Sequence, residues 1–312
     1  MQDDRDLAQF RHLQTEAIEQ YERELIERRE ERARLDELRS SAERRREQTL
    51  TSAGFDLEQL RGFEKDDADT LERTLREMRP KLVDRPPQSE YAAQLRQLYY
   101  EVPHPHGVAV PPYAATLLAP DGTSLEGNPG ERGNPSVLPF FPERIKIKAG
   151  PSQGDGSGCW SGISHAVSAL MWFTFVPADT YVYRLAAKIG LHGFHVLISD
   201  DTFWSCKNAE VSVSVGINAL QYAWQGRQDR SLLACERENI SWFSLFDSLP
   251  VLEMLAPLRG GDRVWVLVNV TINASAKGSG TYAEINFADG YHNYIEPLVL
   301  WATRDYPEYV RW

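Results

Sequence analysis

Between Arg263 and Asn273 the side chains alternate with period two. Val264, Val266, Val268, Val270 and Ile272 fall on one face; Arg263, Asn269, Thr271 and Asn273 share the other with Trp265 and Leu267. After the small-residue run Ala274 to Gly280, Thr281, Ala283, Ile285 and Phe287 alternate against Tyr282, Glu284 and Asn286. The pattern predicts an antiparallel hairpin over Asp262 to Phe287 with one face in a core. A lone hairpin is marginal in water, so the rest of the chain has to bring further strands to that face.

Beyond Gly158 the chain supplies them. Strands are expected at Met171–Val176, Tyr181–Ala187, Phe194–Ser199, Ala209–Ile217, Gln221–Trp224, Ile240–Phe246 and Leu298–Trp301, separated by turn signals such as Pro177-Ala178-Asp179 and Gly260-Gly261-Asp262. Short strands at this spacing indicate an antiparallel β-sandwich of jelly-roll type over 159–312. The stretch Ile163 to Phe175 reads equally as helix or strand.

The first 82 residues carry 17 Lys or Arg and 22 Asp or Glu and no Trp, the composition of a solvated helix. Leu7, Phe10, Leu13, Ala17, Ile18, Tyr21 and Leu25 recur at three and four, and Leu35, Leu38 and Ala42 resume the stripe. Ser40 with Glu43 has the form of a capping box, Gly54 reads as a helix stop, and Asp56 and Asp69 read as N-caps, with Pro80 ending the last piece. A further helix is expected at Ser89 to Glu101. Residues 1–102 are therefore read as long amphipathic, coiled-coil-like helices. Between Pro80 and Pro151 stand 13 of the 18 prolines, so 103–158 is read as an extended Pro/Gly-rich arm. The fold class is thus α+β, multidomain. A helical stripe with no partner of its own, plus apolar segments in the arm, leads to the expectation of a homo-oligomer whose subunits complete one another's cores.

The formal net charge of −11 argues against nucleic acid, whose phosphates need a basic surface. No apolar run is long enough to span a membrane, and no secretory signal pattern opens the chain. Three cysteines, Cys159, Cys206 and Cys235, form neither an even disulfide framework nor a zinc spacing. The expectation is a cytoplasmic protein, part of an assembled particle, or one exported by another route. No cofactor and no metal are expected; His104 with His106 and His192 with His195 are close pairs without a completing ligand.

Three functional readings remain. Gln153-Gly-Asp-Gly-Ser-Gly-Cys159-Trp160 resembles the active-site segment of papain-like cysteine peptidases. That resemblance would make Cys159 the nucleophile, Gln153 the oxyanion donor and His292 the general base, with the thiolate formed at a helix N-terminus. The segment departs from the family at Gly156, where a second Cys would stand. The preferred reading is non-enzymatic: a structural or binding protein whose sandwich presents aromatic residues, Trp204, Trp224, Trp242, Tyr291, Tyr294 and Trp301, to a protein or carbohydrate partner. A monomeric glycan-binding module is the other alternative.

Overall fold

The computed structural model describes residues 2–85, 107–118, 136–138, 144–153, 162–199, 207–237, 240–278 and 280–305. The expected helix Ser89 to Glu101, the His104/His106 pair, Cys159, Trp204, Cys206 and the aromatic C-terminus lie outside these residues.

Two antiparallel sheets face each other. In sheet A the long strand β6 (Tyr181–Ser199) is central. One of its edges pairs with β10 (Val251–Leu258) along its first half and β9 (Ile240–Ser248) along its second. The other edge pairs with β13 (Tyr294–Arg304) and then β12 (Tyr282–Asn286). Beyond these lie β1 (Val108–Val110), paired with β13, and β4 (Lys148–Gln153), paired with β12. Sheet B runs in the order β3 (Ser136–Leu138), β2 (Pro112–Leu118), β5 (Gly162–Phe175), β11 (Val264–Lys277), β7 (Asn208–Leu220) and β8 (Gln228–Arg237). The chain is an antiparallel β-sandwich.

The alternating faces are as the sequence predicts, but the partners are not. β11 lies in sheet B between β5 and β7, whereas β12 lies in sheet A between β6 and β4. The expected hairpin over 262–287 does not form. Instead the chain crosses from one sheet to the other after Lys277, and Val266, Val268 and Val270 meet Ala283, Ile285 and Phe287 across the core. Alternation specifies which side chains are buried together, and two sheets face to face satisfy it as well as one ribbon does. Two separately expected strands, at 181–187 and 194–199, are one element. Gly193 sits where β6 exchanges β13 for β12, and a Cβ there would lie 2.4 Å from the Asn286 carbonyl oxygen.

Ile163 to Phe175 is strand, paired with β11 over its whole length. Gln221 to Trp224 is a bend with a single bridge between Leu220 and Trp224. The extended arm is also revised, since β1, β2 and β4 fall within 103–158 and belong to the sheets. In β2, Ala115 and Leu117 enter the inter-sheet core while Ala114 and Leu118 face the opposite way, also buried. A strand covered on both faces reads as a continuous apolar run, which hid it among the prolines.

The second cover is helical. Helix α1 (Gln2–Ser52) runs through Ser40 without a break, about 75 Å at the usual rise. It lays Phe10, Leu13, Ala17 and Tyr21 on the outer face of sheet B, against Leu170, Trp172, Trp265 and Leu267. This explains the mixed face of β11: Trp265 and Leu267 lie under the helix, and Asn269 Oδ1 accepts a hydrogen bond from the Tyr21 hydroxyl at 2.8 Å. Gln14 Nε2 donates to Thr116 at 2.8 Å. The first part of the stripe, Phe10 to Tyr21, is therefore covered by the chain's own sheet, whereas Leu38 farther along is 68% exposed.

Gly54, at φ +88°, turns the chain, and Asp56 caps helix α2 (Leu57–Val83) by accepting from the Glu58 and Gln59 amides. The helix runs on through Asp69 and past Pro80 for one more turn, closed by the Asp84 amide donating to the Pro80 carbonyl at 2.9 Å. Leu71, Leu75, Leu82 and Val83 cover Phe194, Val196, Ile198 and Tyr282 on the outer face of sheet A. Each sheet thus has a helix on its outer face.

Candidate functional site

Where β6 begins, β7 and β10 end, and β13 runs out at Asp305, three bends meet at one end of the sandwich. They are tied together by main-chain and side-chain hydrogen bonds. Gln221, nearly fully buried, donates through Nε2 to the carbonyls of Arg259 (2.8 Å) and Asp262 (3.0 Å), and its Oε1 accepts from the Arg259 amide at 2.8 Å. The Gly260 amide donates to Thr180 Oγ1 at 3.0 Å and the Gly261 amide to the Pro177 carbonyl at 2.9 Å. The Asp305 amide donates to the Val182 carbonyl at 2.9 Å.

These fixed bends border an open surface pocket of about 590 Å³. That volume is in the ordinary range for a small-ligand site, about 300–1,000 Å³. Tyr181, Val182, Pro257 and Leu258 give it apolar walls; Thr180, Gln225, Arg259 and Asp305 add polar groups. Tyr181 and Tyr222 also line it, and they are 37% and 68% exposed. The Tyr222 hydroxyl donates to the Asp262 carboxylate, and this bond raises the phenol pKa above its usual value. The site therefore offers aromatic faces, a hydrocarbon wall and both neutral and ion-paired hydrogen-bonding groups on a pre-formed frame.

The aromatic residues singled out in the sequence do not converge here. Trp224 packs beside the α1 cluster on sheet B. Trp301 is 7% exposed, next to Ala186 and Val299 on sheet A. Trp242 is partly exposed on edge strand β9 and meets His195 edge-on at 4.9 Å. Tyr291 and Tyr294 are brought together, because the Arg144 guanidinium lies 4.8 Å and 4.3 Å from their ring centres. Tyr294 is nonetheless buried, and Tyr291 is exposed at the end of the sandwich where β12 closes. Tyr181, Gln221 and Tyr222 were not anticipated. Their signal was the end of the clean alternation at Leu220, opposite the Gly260-Gly261-Asp262 turn.

The cysteine-peptidase residues are not assembled by the described structure. Gln153 pairs with Tyr282 at one end of β4, and His292 follows the far end of β12, beyond the Asn286–Lys148 pair. Those two ends are separated by about 17 Å of strand. The element after Cys159 is strand β5, so no helix N-terminus follows the thiol.

Two polar networks on sheet A serve other ends. Glu284, whose side chain is fully buried, accepts from Arg79, from the Tyr282 hydroxyl at 2.7 Å and from Asn286 Nδ2 at 2.7 Å. Its acceptor positions are filled, as in a structural clamp. His192 Nδ1 lies 3.0 Å from Asp247, which Arg85 also holds at 2.7 Å, and His192 is 2% exposed. The His192 ring of that dyad is closed to a substrate, while the Asp247 carboxylate is 44% exposed. His192 and His195 project from opposite faces of β6, so they do not form a metal pair, and among the described residues no cluster of three His, Cys, Asp or Glu could hold a metal ion.

No protein-family model matches the chain, and no curated protein matches its sequence. Among solved structures it is similar to the carbohydrate-binding module TmCBM61, determined in complex with β-1,4-galactotriose, at 12% identity and a TM-score of 0.18, over 63% of this chain and 87% of that one.

Proposed function

We propose that this chain is a non-enzymatic binding protein whose β-sandwich takes a saccharide in the pocket between Tyr181 and Tyr222. The observation that carries the reading is the pairing of two solvent-exposed tyrosines with an open surface pocket of about 590 Å³. Sugar rings present apolar C–H faces and a hydroxyl periphery. Tyrosine faces and an aliphatic wall suit the first, and amide and hydroxyl groups such as Gln225 and Thr180 suit the second. Pinning of the bends by Gln221 lowers the ordering cost of binding. The two helices, each seated on an outer face, act as covers that keep the sheets from pairing or aggregating there.

The test is calorimetric titration of soluble oligosaccharides into the full chain, with Tyr181→Ala and Tyr222→Ala as variants. Each variant is expected to lose at least about tenfold in affinity, about 1.4 kcal/mol, with an unchanged circular dichroism spectrum. Wild-type affinity in both variants would overturn the assignment of the pocket.

A further inference from the structure

We infer that the saccharide this pocket accepts is neutral rather than acidic. The inference rests on the saccharide reading above and adds the ligand class. Among the described lining residues, only Arg259 and Asp305 are charged. Both are engaged within the chain. Arg259 Nε lies 3.5 Å from Asp262 Oδ2, and Asp305 Oδ1 lies 3.1 Å from Arg184 Nη2. The neighbouring Arg304 is paired with Asp179. A uronic acid carboxylate entering the site has to compete with Asp262, Asp305 and Asp179 for Arg259, Arg184 and Arg304, and it does so against a chain of net charge −11.

The neutral groups have capacity to spare. Thr180 Oγ1 accepts from the Gly260 amide and keeps its own O–H to donate. The Tyr222 oxygen donates to Asp262 and accepts from the Arg259 side chain, so it offers its ring face rather than its hydroxyl. The Gln225 amide, exposed at the rim, holds only a 3.4 Å contact to the Ala223 carbonyl through Nε2. Donors and acceptors side by side match sugar hydroxyls, which do both, better than a carboxylate, which only accepts. The Arg259–Asp262 pair is the element on which the test turns, because it is solvent-exposed and a ligand carboxylate could gain the guanidinium only by displacing Asp262 from it.

The experiment is titration of the full chain with linear neutral oligosaccharides of glucose, xylose and galactose, and with oligogalacturonate and oligoguluronate of matched length, each at about 20 mM and about 500 mM sodium chloride. The inference expects a neutral oligosaccharide to bind at least about tenfold more tightly than any uronate, with its Kd moving less than about twofold between the two salt concentrations. That binding should be lost in Tyr222→Ala, which places it in this pocket. A uronate that binds as tightly or more tightly, weakens at high salt and needs Tyr222 overturns the neutral assignment while leaving the saccharide reading intact. Binding of neither class, or binding of both unchanged in Tyr222→Ala, overturns the saccharide reading and this inference with it.

Discussion

Arg79 on helix α2 donates to both carboxylate oxygens of Glu284 on β12, at 2.9 Å through Nε and 2.8 Å through Nη2. Glu284 is fully enclosed, Arg79 is about one third exposed, and Arg79 also reaches Asp289 at 2.6 Å. Lys148 lies 3.4 Å from the other oxygen of Asp289. The network holds the helix to the sheet at the point where Leu82 and Val83 cover Phe194.

Removing one partner of such a pair leaves a buried charge without compensation. Arg79→Ala is therefore expected to cost about 3 kcal/mol, the low end of the range for a broken buried pair, because Arg79 is partly solvated. Replacing both, in Arg79→Met with Glu284→Gln, should cost less than Arg79→Ala alone. Urea unfolding followed by circular dichroism measures both; equal losses would mean that the carboxylate is not the group that needs compensation.

His195 makes a second prediction, about pH. It is 3% exposed, projects between the sheets, and meets Trp242 and Phe246; neither ring nitrogen has a hydrogen-bond partner among the described residues. Burial lowers its pKa to about 4. The unfolded histidine titrates near 6.5, so between those values the unfolded chain binds more protons than the folded one. Its contribution is complete above about pH 6.5 and falls as pH drops to about 4, by at most about 3 kcal/mol. Asp247 and Asp289, both held below the usual carboxylate range by hydrogen-bonded cations, amides or histidine, add a further loss below about pH 4, as pH falls through their folded pKa values. His195→Phe should remove the slope between pH 6.5 and 4 and leave stability at pH 7 unchanged or higher, since no hydrogen bond is forfeited. A thermal-melt series against pH reads the slope directly.

How far the fold could be read from sequence depends on whether a feature is local. Gly54 as a stop and Asp56 as a cap rest on φ and on one side-chain oxygen, and both stand as read. Which of Val264 to Ile272 lie inside is equally local. Which strands pair is not, and the Thr281–Phe287 alternation was satisfied by a partner across the core rather than alongside. The β8 strand was missed because Asp229, Arg230 and Glu236 lie on a sheet edge that keeps few residues buried. The β10 strand alternates plainly from Leu252 to Leu258, but Pro257 disguised it, as proline is tolerated only at such an edge. The pocket draws Tyr181, Gln221 and Arg259 from three strand ends distant in sequence, and no pattern along the chain joins them.

Helix α1 gives the third prediction. Phe10 stacks on Trp265 at 4.8 Å and meets Trp172 and Tyr113 edge-on at 5.5 Å and 5.1 Å. Farther along, Arg227 holds Glu24 at 2.6 Å and lies over the Tyr21 ring at 4.6 Å. Phe10→Ala opens a cavity beneath the helix and is expected to cost about 3–5 kcal/mol. Deleting residues 1–24 should expose Leu170, Trp172, Trp265 and Leu267 together, an apolar patch that binds a hydrophobic dye and promotes association. Dye fluorescence and light scattering before and after the deletion measure this, and an unchanged dye signal would mean that the helix is not the cover of sheet B.

The fourth prediction separates the frame of the pocket from its lining. Gln221 makes three hydrogen bonds to the 259–262 bend and is nearly inaccessible, so it positions that bend rather than presenting much surface to a ligand. Gln221→Ala leaves the Arg259 and Asp262 carbonyls and the Arg259 amide without those partners, at about 1–3 kcal/mol of stability. It should also weaken saccharide binding, because a bend that is no longer pinned must be ordered when the ligand arrives. Gln221→Glu keeps the acceptor for the Arg259 amide but not the two donors, and its loss should lie between wild type and alanine in both stability and affinity. Tyr222→Ala, by contrast, should lose affinity with little loss of stability, since Tyr222 is 68% exposed. Unfolding and calorimetry on the same three variants then distinguish the two roles. If Gln221→Ala lowered stability and left affinity unchanged, the frame would be unnecessary to recognition; if Tyr222→Ala also left affinity unchanged, the binding surface would have to be sought on another face of the sandwich.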